Sequence, residues 1–384
     1  MMNVLGTNII SSLGFTTAKN FENVKRGVSG LKRYEANTLY DLPEAFVASL
    51  IDKERLNDEC SNAKLSGLAT NLEKAAILSV LDANKQANID LSGEKTIFVL
   101  STTKGNVDLL DDTETKRTLA LPVFLWHTSK TIARFFGNPN VPIVVSNACI
   151  SGAAAQITAM RELENGPFDY AVVVGADFLS KFIISGFQSF KALSPDICRP
   201  FDKERCGLNL GEAVATIIYG RKMQNTKHRV CLINGVIRND ANHISGPSRT
   251  GEGSFRALRN IIENIDKEQI AFINAHGTAT SYNDAMEAVA IGRAGLQSAP
   301  VNSLKGYYGH TLGAAGVLES IVSMCALQEN RALKSFNYNE QNFENPINIL
   351  RENHLSNKRY FIKLLSGFGG VNAAVLFEKN ADCN

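Results

Sequence analysis

The chain has 384 residues, of which 44% are hydrophobic and 20% charged. This composition is typical of a folded protein and excludes a disordered, collagen-like or coiled-coil chain. The 40 lysines and arginines nearly balance the 38 acidic residues, and the resulting net charge of +2 argues against nucleic acid as a partner. The length predicts two domains or one large fused core.

The cysteines and the N-terminus bear on the cellular compartment. Seven scattered cysteines without a C-x-x-C pair indicate neither a zinc site nor a redox dithiol, so we expect reduced thiols in a cytoplasmic protein. The N-terminus has no basic residue before Lys19 and no continuous apolar core, which argues against a signal peptide. No apolar run reaches the roughly 18 residues of a membrane span, so no membrane association is expected.

Short apolar segments alternate with longer amphipathic segments along the chain. The apolar segments lie at 96–100, 141–145, 170–175, 215–219, 270–275, 360–365 and 373–377. Continuous apolar strands separated by helices predict an α/β fold with buried sheets. The hydrophilic stretch 220–229 separates two such strands, and we therefore divide the chain into the halves 1–225 and 226–384.

Cys149 stands between a predicted strand, VPIVVSNA, and a segment rich in helix formers, ISGAAAQITAMREL. At such a turn the free backbone N–H groups and the helix dipole favour the thiolate over the thiol. Small Ser151 and Gly152 would let a substrate approach. Cys149 is thus a candidate nucleophile, and from position alone a buried structural cysteine is an equal alternative.

His276 lies just past the predicted strand IAFINA. Binding and catalytic groups collect at the carboxyl ends of strands in open α/β sheets, and Thr278 and Thr280 add hydroxyl groups there. Asp284 and Glu287 resemble a capping box at the start of the next helix. Taken alone, His276 could also be a hydrogen-bonded structural histidine.

His310 stands at the entrance of a predicted helix in SLKGYYGHTLGAAGVLES. The positive helix end and nearby Lys305 should disfavour the imidazolium form and leave a neutral ring that acts as a donor or base. The glycine-rich GHTLGAAG would alternatively serve tight helix packing, and it matches neither common nucleotide-binding glycine motif. No pair of histidines has the spacing of a helical metal site.

Together these segments resemble the β-ketoacyl-acyl carrier protein synthases of the elongating type, which are decarboxylating condensing enzymes of the thiolase superfamily. The resemblance covers nearly the whole chain and includes NVLGTNIISSLG, NACISGAAAQ, RPFDKERCGLNLGEA, INAHGTATSYNDAMEAVAI, SLKGYYGHTLGAAGVLES and GFGGVNAAVLF. The order Cys, His, His separates these enzymes from initiating synthases (Cys, His, Asn) and thiolases (Cys, His, Cys). The resemblance implies a thiolase-like fold of five αβαβα layers built from two similar halves.

The resemblance also implies roles for individual residues. Cys149 would accept the acyl group from acyl carrier protein, and its backbone N–H with that of the gate residue Phe368 would form an oxyanion hole. His276 and His310 would stabilise the enolate formed when malonyl-acyl carrier protein loses CO₂. The resemblance further implies that Lys305 and Glu319 form an ion pair that orders the histidine region. Thr278 and Thr280 would bind the pantetheine arm through their hydroxyls. Lys203 and Arg205 would bind the carrier protein through their charge.

No metal or other cofactor is implied, because phosphopantetheine on the carrier supplies the substrates. The implied docking residues Lys203 and Arg205 would equally form an ordinary solvated charge cluster.

A homodimer is expected, and a heterodimer with a related subunit is the second arrangement. A non-catalytic partner subunit resembling chain length factors is the alternative function, but such subunits lose the cysteine. A purely structural thiolase-fold protein ranks last, because it would need three intact sites by coincidence.

Several residues depart from the pattern of the family. Ser281 replaces a proline, Ser366 a large aromatic residue, and Tyr307 and Tyr308 smaller residues, all near the presumed acyl or pantetheine pocket. Cys206 replaces an aspartate. These departures leave the acyl substrate open, and with it the choice between fatty acid synthesis and a specialised polyketide or polyene pathway.

Overall fold

A computed structural model of the chain describes residues 1–65, 67–68, 70–111, 121–222 and 230–380. The predicted boundary at 225 lies outside these ranges and stays a prediction. Within them, no helix is long and apolar enough to cross a membrane. The six cysteines that the ranges include are free thiols.

The strands are β1 (Met2–Ser11), β2 (Lys32–Tyr34), β3 (Phe46–Ser49), β4 (Thr96–Ser101), β5 (Ile143–Val145), β6 (Tyr170–Asp177), β7 (Leu210–Gly211), β8 (Ala213–Gly220), β9 (Val230–Asn239), β10 (Ile270–Asn274), β11 (Val301–Asn302), β12 (Arg331–Ala332), β13 (His354–Leu355), β14 (Tyr360–Gly367) and β15 (Val371–Lys379).

The α-helices are α1 (Thr17–Lys25), α2 (Lys53–Asn62), α3 (Asn71–Ala87), α4 (Leu125–Phe135), α5 (Ser151–Asn165), α6 (Lys181–Ser189), α7 (Glu252–Ile261), α8 (Ser281–Arg293), α9 (Lys305–Tyr308) and α10 (Ala315–Gln328). Short 3₁₀ helices cover Val107–Asp111, Leu121–Val123, Lys267–Gln269 and Leu312–Ala314.

The main sheet has ten described strands in the order β11-β10-β14-β15-β9-β1-β8-β6-β4-β5. In its first half, β1, β8 and β6 pair antiparallel, and β6, β4 and β5 pair parallel. The second half repeats this pattern, with β9, β15 and β14 antiparallel and β14, β10 and β11 parallel. A pairing of Met2 with Leu232 and Asn3 with Cys231, between β1 and β9, joins the halves.

Helices cover both faces of each half-sheet. Helix α3 packs on β1 and β8 of the first half, and α7 packs on β9 and β15 of the second. Helices α5 and α10 lie between the halves, because each contacts strands of both. Of the apolar clusters among the described residues, the three largest follow these layers, one in the centre and one beneath each outer layer. The predicted five αβαβα layers are therefore present, and buried strands explain the continuous apolar segments.

The two central helices touch backbone to backbone at Gly152 and Gly316. A Cβ atom on Gly316 would lie 2.5 Å from the backbone nitrogen of Ala153 and 2.7 Å from the carbonyl carbon of Gly152. The prediction that Gly152 admits substrate is therefore wrong, since helix α10 fills that space. The tight packing predicted as the alternative for GHTLGAAG does occur at Gly316, while His310 of the same segment enters the site described below.

We expect Gly316→Ala to destabilise the fold by about 2 kcal/mol, because overpacking a close helix contact forces backbone shifts. The same shift would move Cys149 at the start of α5 relative to the second half. Thermal denaturation measures the loss of stability. Gly292→Ala on α8 is the matched control, since its new Cβ would meet nothing within 4 Å, and equal stability losses in both variants would contradict the packing argument.

The first half of the sheet ends on an open edge. Strand β5 pairs with β4 alone among the described strands. Large apolar side chains beside it are exposed, namely Phe124, Trp126, Phe135 and Val141. Unpaired strand edges and exposed apolar patches of this kind are typical of a subunit interface.

Candidate active site

Three predicted residues from distant parts of the chain meet in the structure. Cys149 precedes α5, His276 follows β10, and His310 lies between α9 and the next 3₁₀ helix. The Sγ of Cys149 and one ring nitrogen of each histidine all lie within 4.8 Å of one another. The side chains are 9%, 3% and 1% exposed, respectively. A thiol and two imidazoles this close could bind a metal ion, or share a proton and a substrate carbonyl.

Backbone strain accompanies the site. Ala148, Ala279 and Leu312 have left-handed φ values of 44°, 62° and 51°. Each adjoins a segment of the site, and a non-glycine residue in this conformation costs about 1 kcal/mol. Such strained conformations persist only where the surrounding structure enforces them, and they are concentrated at functional sites. Here they make the sharp turns that aim Cys149 and the histidine segments at one point.

Burial dominates the chemistry of the Cys149 thiol. It raises the pKa of Cys149 to about 11, although the ammonium groups of Lys305 and Lys104 and the backbone N–H of Phe368 act in the opposite direction. The predicted preference for the thiolate at the helix terminus is therefore wrong for the resting protein. The helix terminus acts on a group from which solvent has been removed, and desolvation penalises the charged form more strongly.

We expect alkylation of Cys149 by iodoacetamide to accelerate about tenfold per pH unit between pH 7 and 10, because the thiolate fraction rises with pH below the pKa. Mass spectrometry of the Cys149 peptide gives the rate. A free cysteine derivative, with an ordinary pKa of about 8.5, serves as control and should level off above pH 9. A plateau for Cys149 at or below pH 8.5 would show that the helix terminus outweighs burial.

Two carboxylates hold the His276 segment from below. Glu287 accepts the backbone N–H groups of His276 and Gly277, each at 2.7 Å. Asp284 accepts the backbone N–H of Thr278 at 3.0 Å. The predicted capping box is wrong, because the helix already begins at Ser281 and both carboxylates accept backbone N–H groups of the preceding loop. Burial raises the pKa of Asp284 to about 6 and that of Glu287 to about 7.

Both histidines are neutral. Burial, followed by the charge of Lys305, lowers the pKa of His276 and His310 well below 6.5, as expected for His310. The Nδ1 of His310 accepts the backbone N–H of Leu312 at 3.3 Å, which places the ring proton on Nε2. Within the described residues, this Nε2 and the Nδ1 of His276 have no hydrogen-bond partner. A buried ring nitrogen without a hydrogen-bond partner destabilises the folded protein, so these two nitrogens are available to bind a ligand.

A buried lysine–glutamate cluster lies next to the histidines. It consists of Lys305, Glu319 and Lys363, with Nζ–Oε distances of 2.8 and 2.6 Å from the two lysines to Glu319. Burial opposes the charge of Glu319, but the two ammonium groups hold its pKa below the usual value. Sequence reasoning missed Lys363. Its signal is a single lysine within an otherwise apolar strand, YFIKLL.

A cleft connects the three residues with the surface. Thr278 and Thr280 line it, with their hydroxyl oxygens 2.9 Å apart. Phe368 stands at its mouth, 40% exposed. The Phe368 ring packs against Phe187 and Phe190, with centroid distances of 6.2 and 5.6 Å. The cleft therefore offers hydroxyl groups along its wall and an aromatic cluster at its opening.

The departures from the family pattern have different places. Ser366 lines the cleft, as predicted. Tyr307 and Tyr308 are fully buried and do not line it, and neither does Ser281, which directly follows the lining residue Thr280. Cys206 is exposed. Of these departures, Ser366 alone therefore shapes the wall of the cleft directly.

The two predicted docking cations lie apart from the three residues at the bottom of the cleft. Lys203 pairs with Glu340. Arg205 donates to the side chain of Asn342 at 3.1 Å, and its guanidinium lies 4.6 Å from the ring centre of Phe343. Arg205 is thus held by local contacts, while Lys203 is half exposed.

Comparison with protein families decides the relationship. Residues 3–225 match the model "Beta-ketoacyl synthase, N-terminal domain", and residues 230–339 match "Beta-ketoacyl synthase, C-terminal domain". The chain belongs to the β-ketoacyl synthase family. The predicted family resemblance is confirmed.

Individual relatives of the chain are distant. The 3-oxoacyl-[acyl-carrier-protein] synthase 2 of Rhizobium meliloti is 31% identical over 261 residues, which are 63% of this chain and 61% of that relative. A protein of Schizosaccharomyces pombe described as a mitochondrial 3-oxoacyl-[acyl-carrier-protein] synthase is 24% identical over 98% of both chains.

Solved structures confirm the thiolase-like fold. A chain of the complex between a ketosynthase and its chain length factor from Xenorhabdus doucetiae has a TM-score of 0.85 and 23% identity, with 98% of both chains covered. The ishigamide ketosynthase/chain length factor gives a TM-score of 0.87, 23% identity and 99% coverage of both chains.

Proposed function

We propose that the chain catalyses a decarboxylating Claisen condensation, in which an acyl group on Cys149 is joined to malonyl-acyl carrier protein to give β-ketoacyl-acyl carrier protein. One observation carries the proposal: the thiol of Cys149 and ring nitrogens of neutral His276 and His310 lie within 4.8 Å of one another at a cleft. The relatives named 3-oxoacyl-[acyl-carrier-protein] synthase support acyl carrier protein as the partner.

In the first half-reaction, the sulfur of Cys149 attacks the acyl thioester. Because the resting group is a thiol, its proton must leave during the attack, and a neutral imidazole within reach accepts it. The proton then passes to the departing carrier thiol. The backbone N–H groups of Cys149 and Phe368 are the proposed donors to the oxyanion, and the N–H of Phe368 already faces the sulfur.

In the second half-reaction, malonyl carrier loses CO₂ and leaves an enolate. The unpaired ring nitrogens of His276 and His310 are the proposed hydrogen-bonding groups for this enolate oxygen. The enolate attacks the acyl carbonyl on Cys149, and the released sulfur takes up a proton. The wall hydroxyls of Thr278 and Thr280 are the proposed partners of the pantetheine amides.

Intact-mass measurements test the reaction. The purified chain is incubated with a panel of acyl carrier thioesters and then with malonyl carrier. We expect one acyl adduct in the first step, followed by its loss together with a β-ketoacyl carrier product. An adduct that never forms with any acyl length, in the presence of correctly folded protein, would contradict the proposal.

Neither half-reaction requires a metal or another cofactor, and we propose that none takes part. Cys149, His276 and His310 would nevertheless bind a soft ion such as Zn²⁺ through the groups that the reaction uses. Added zinc should therefore inhibit the condensation. The cytoplasm is the proposed location, in line with the free thiols.

Lys203 and Arg205 remain our proposed docking cations for the acidic carrier. Charge reversal at both positions should lower kcat/KM for an acyl carrier thioester about tenfold at low salt and leave a short pantetheine thioester unaffected. Steady-state kinetics with the two substrates measure this. The control for net charge reverses two exposed lysines elsewhere, Lys64→Glu beside α2 and Lys85→Glu on α3. Equal losses with both substrates would contradict docking at this place.

We propose that a second copy of this chain covers the open β5 edge. The exposed aromatic side chains beside that edge support an interface. A heterodimer with a related subunit is the alternative. It is supported by the solved complexes of ketosynthases with chain length factors. Light scattering of the purified chain distinguishes them, since a dimer is expected and a monomer would favour the related subunit.

A non-catalytic, chain-length-factor-like role is the second candidate function, because such subunits occur in the complexes that match in fold. The assembled Cys149, His276 and His310 weigh against it. The mass experiment separates the two functions, because only a synthase becomes acylated without a partner.

A further inference from the structure

Lys363 is a buried group at the site for which the proposed reaction has no part. It lies within β14, 0% exposed, directly beside Asn274 of the parallel strand β10. Its Nζ lies 2.6 Å from Oε2 of Glu319, 3.1 Å from the carbonyl oxygen of Ala275 and 3.4 Å from that of Asn274. An ammonium has three N–H donors, so these three oxygens satisfy it completely.

The three oxygens belong to the segments that carry the histidines. Ala275 directly precedes His276 at the end of β10, and Glu319 stands on α10, which follows His310. The other carboxylate oxygen of Glu319 binds Lys305 at 2.8 Å. Lys363 therefore fastens the loop of one histidine to the helix behind the other.

We propose that Lys363 is a positioning residue for His276 and His310, acting as a built-in monovalent cation that fills the oxygen cage of Glu319, Ala275 and Asn274. The inference rests on the proposed condensing function, since it assigns the residue to enolate stabilisation by the two histidines. Without the ammonium, Oε2 of Glu319 and the carbonyl oxygens of Ala275 and Asn274 would lose their shared charged donor, and the histidine segments would separate.

Electrostatics point the same way. The charge of Lys363 contributes to the low pKa of both histidines. Burial lowers the pKa of Lys363 itself to about 8 while Glu319 opposes the shift, so the group is still charged at pH 7. An ammonium fixed by the chain supplies this charge at any salt composition.

The test uses Lys363→Ala, which empties the cage, and Lys363→Met, which fills the space without charge. Both half-reactions are measured at pH 7 in potassium, ammonium or tetramethylammonium salts of equal ionic strength. Lys379→Ala on β15 is the control, because Lys379 donates to Asn330 away from the site.

We expect Lys363→Ala and Lys363→Met to decarboxylate malonyl carrier about 10- to 100-fold more slowly, with acylation of Cys149 nearly unchanged. Ammonium or potassium should restore the alanine variant, whereas tetramethylammonium, too large for the cage, should not. The wild type should be indifferent to the cation. A wild-type requirement for potassium, wild-type decarboxylation by Lys363→Met, or no difference among the three cations in Lys363→Ala would each overturn the inference.

Failure of the proposed function gives a different result. In that case the wild type neither accepts an acyl group nor decarboxylates malonyl carrier. The melting temperature then tests whether the oxygen cage binds a cation. Ammonium should raise the melting temperature of Lys363→Ala and leave those of the wild type and Lys379→Ala unchanged. An unchanged melting temperature of Lys363→Ala would overturn the inference.

Discussion

Replacing Cys149 with alanine is expected to reduce acyl transfer by about 10⁴-fold or more, to the background rate, because no other thiol in the described part of the chain stands beside two imidazoles. Intact mass after incubation with acyl carrier thioester measures the loss directly. Peptide mapping of the wild type should place the whole adduct on Cys149.

Cys206→Ala is the matched control, since Cys206 is an exposed thiol. It should become acylated at the wild-type rate. An adduct on Cys206 or Cys198 with Cys149 unmodified would refute the assignment of the nucleophile. Retained acylation in Cys149→Ala would do the same.

The second large effect concerns the two histidines. We expect His276→Ala and His310→Ala each to slow decarboxylation of malonyl carrier by about 10²- to 10³-fold, the usual loss when one preorganised donor to a developing oxyanion is removed. Acylation of Cys149 should fall much less. Release of CO₂ and adduct formation, followed in parallel, separate the two steps.

A conservative variant distinguishes hydrogen bonding from proton transfer. His310→Gln keeps an N–H donor that can replace Nε2, and it should recover part of the lost decarboxylation. Either alanine variant decarboxylating at the wild-type rate would contradict the enolate role. A glutamine variant no better than alanine would show that the ring must exchange a proton.

Local patterns predict the strands well, for physical reasons. The apolar segments YAVVVG and IAFINA fall on β6 and β10, because a strand covered on both faces must be apolar throughout. The turn at Cys149 and the positions of His276 and His310 just past structural elements follow from the same boundaries. That these three residues meet depends on the strand order, which the family resemblance supplies and local patterns do not.

Other properties depend on the tertiary structure. Lys363 reaches Glu319 only because β14 pairs with β10 beneath α10, a juxtaposition without a local signal. The pKa of Cys149 rises because its surroundings exclude water, whereas the sequence shows only the helix that follows it. Asp284 and Glu287 have capping-box spacing, yet the helix begins three residues earlier and their carboxylates accept backbone N–H groups of the preceding loop.

The repeated strand pattern of the main sheet has an evolutionary consequence. Two copies of a single half, placed edge to edge about a two-fold axis, would produce this strand order and the short seam between β1 and β9. In such a symmetric ancestor every loop would occur twice. The present chain has kept the nucleophile after β5 in one copy and a histidine after β10 in the other. Fusion of two such copies would have freed each one to specialise; in the present chain neither half alone contains Cys149 together with His276 and His310.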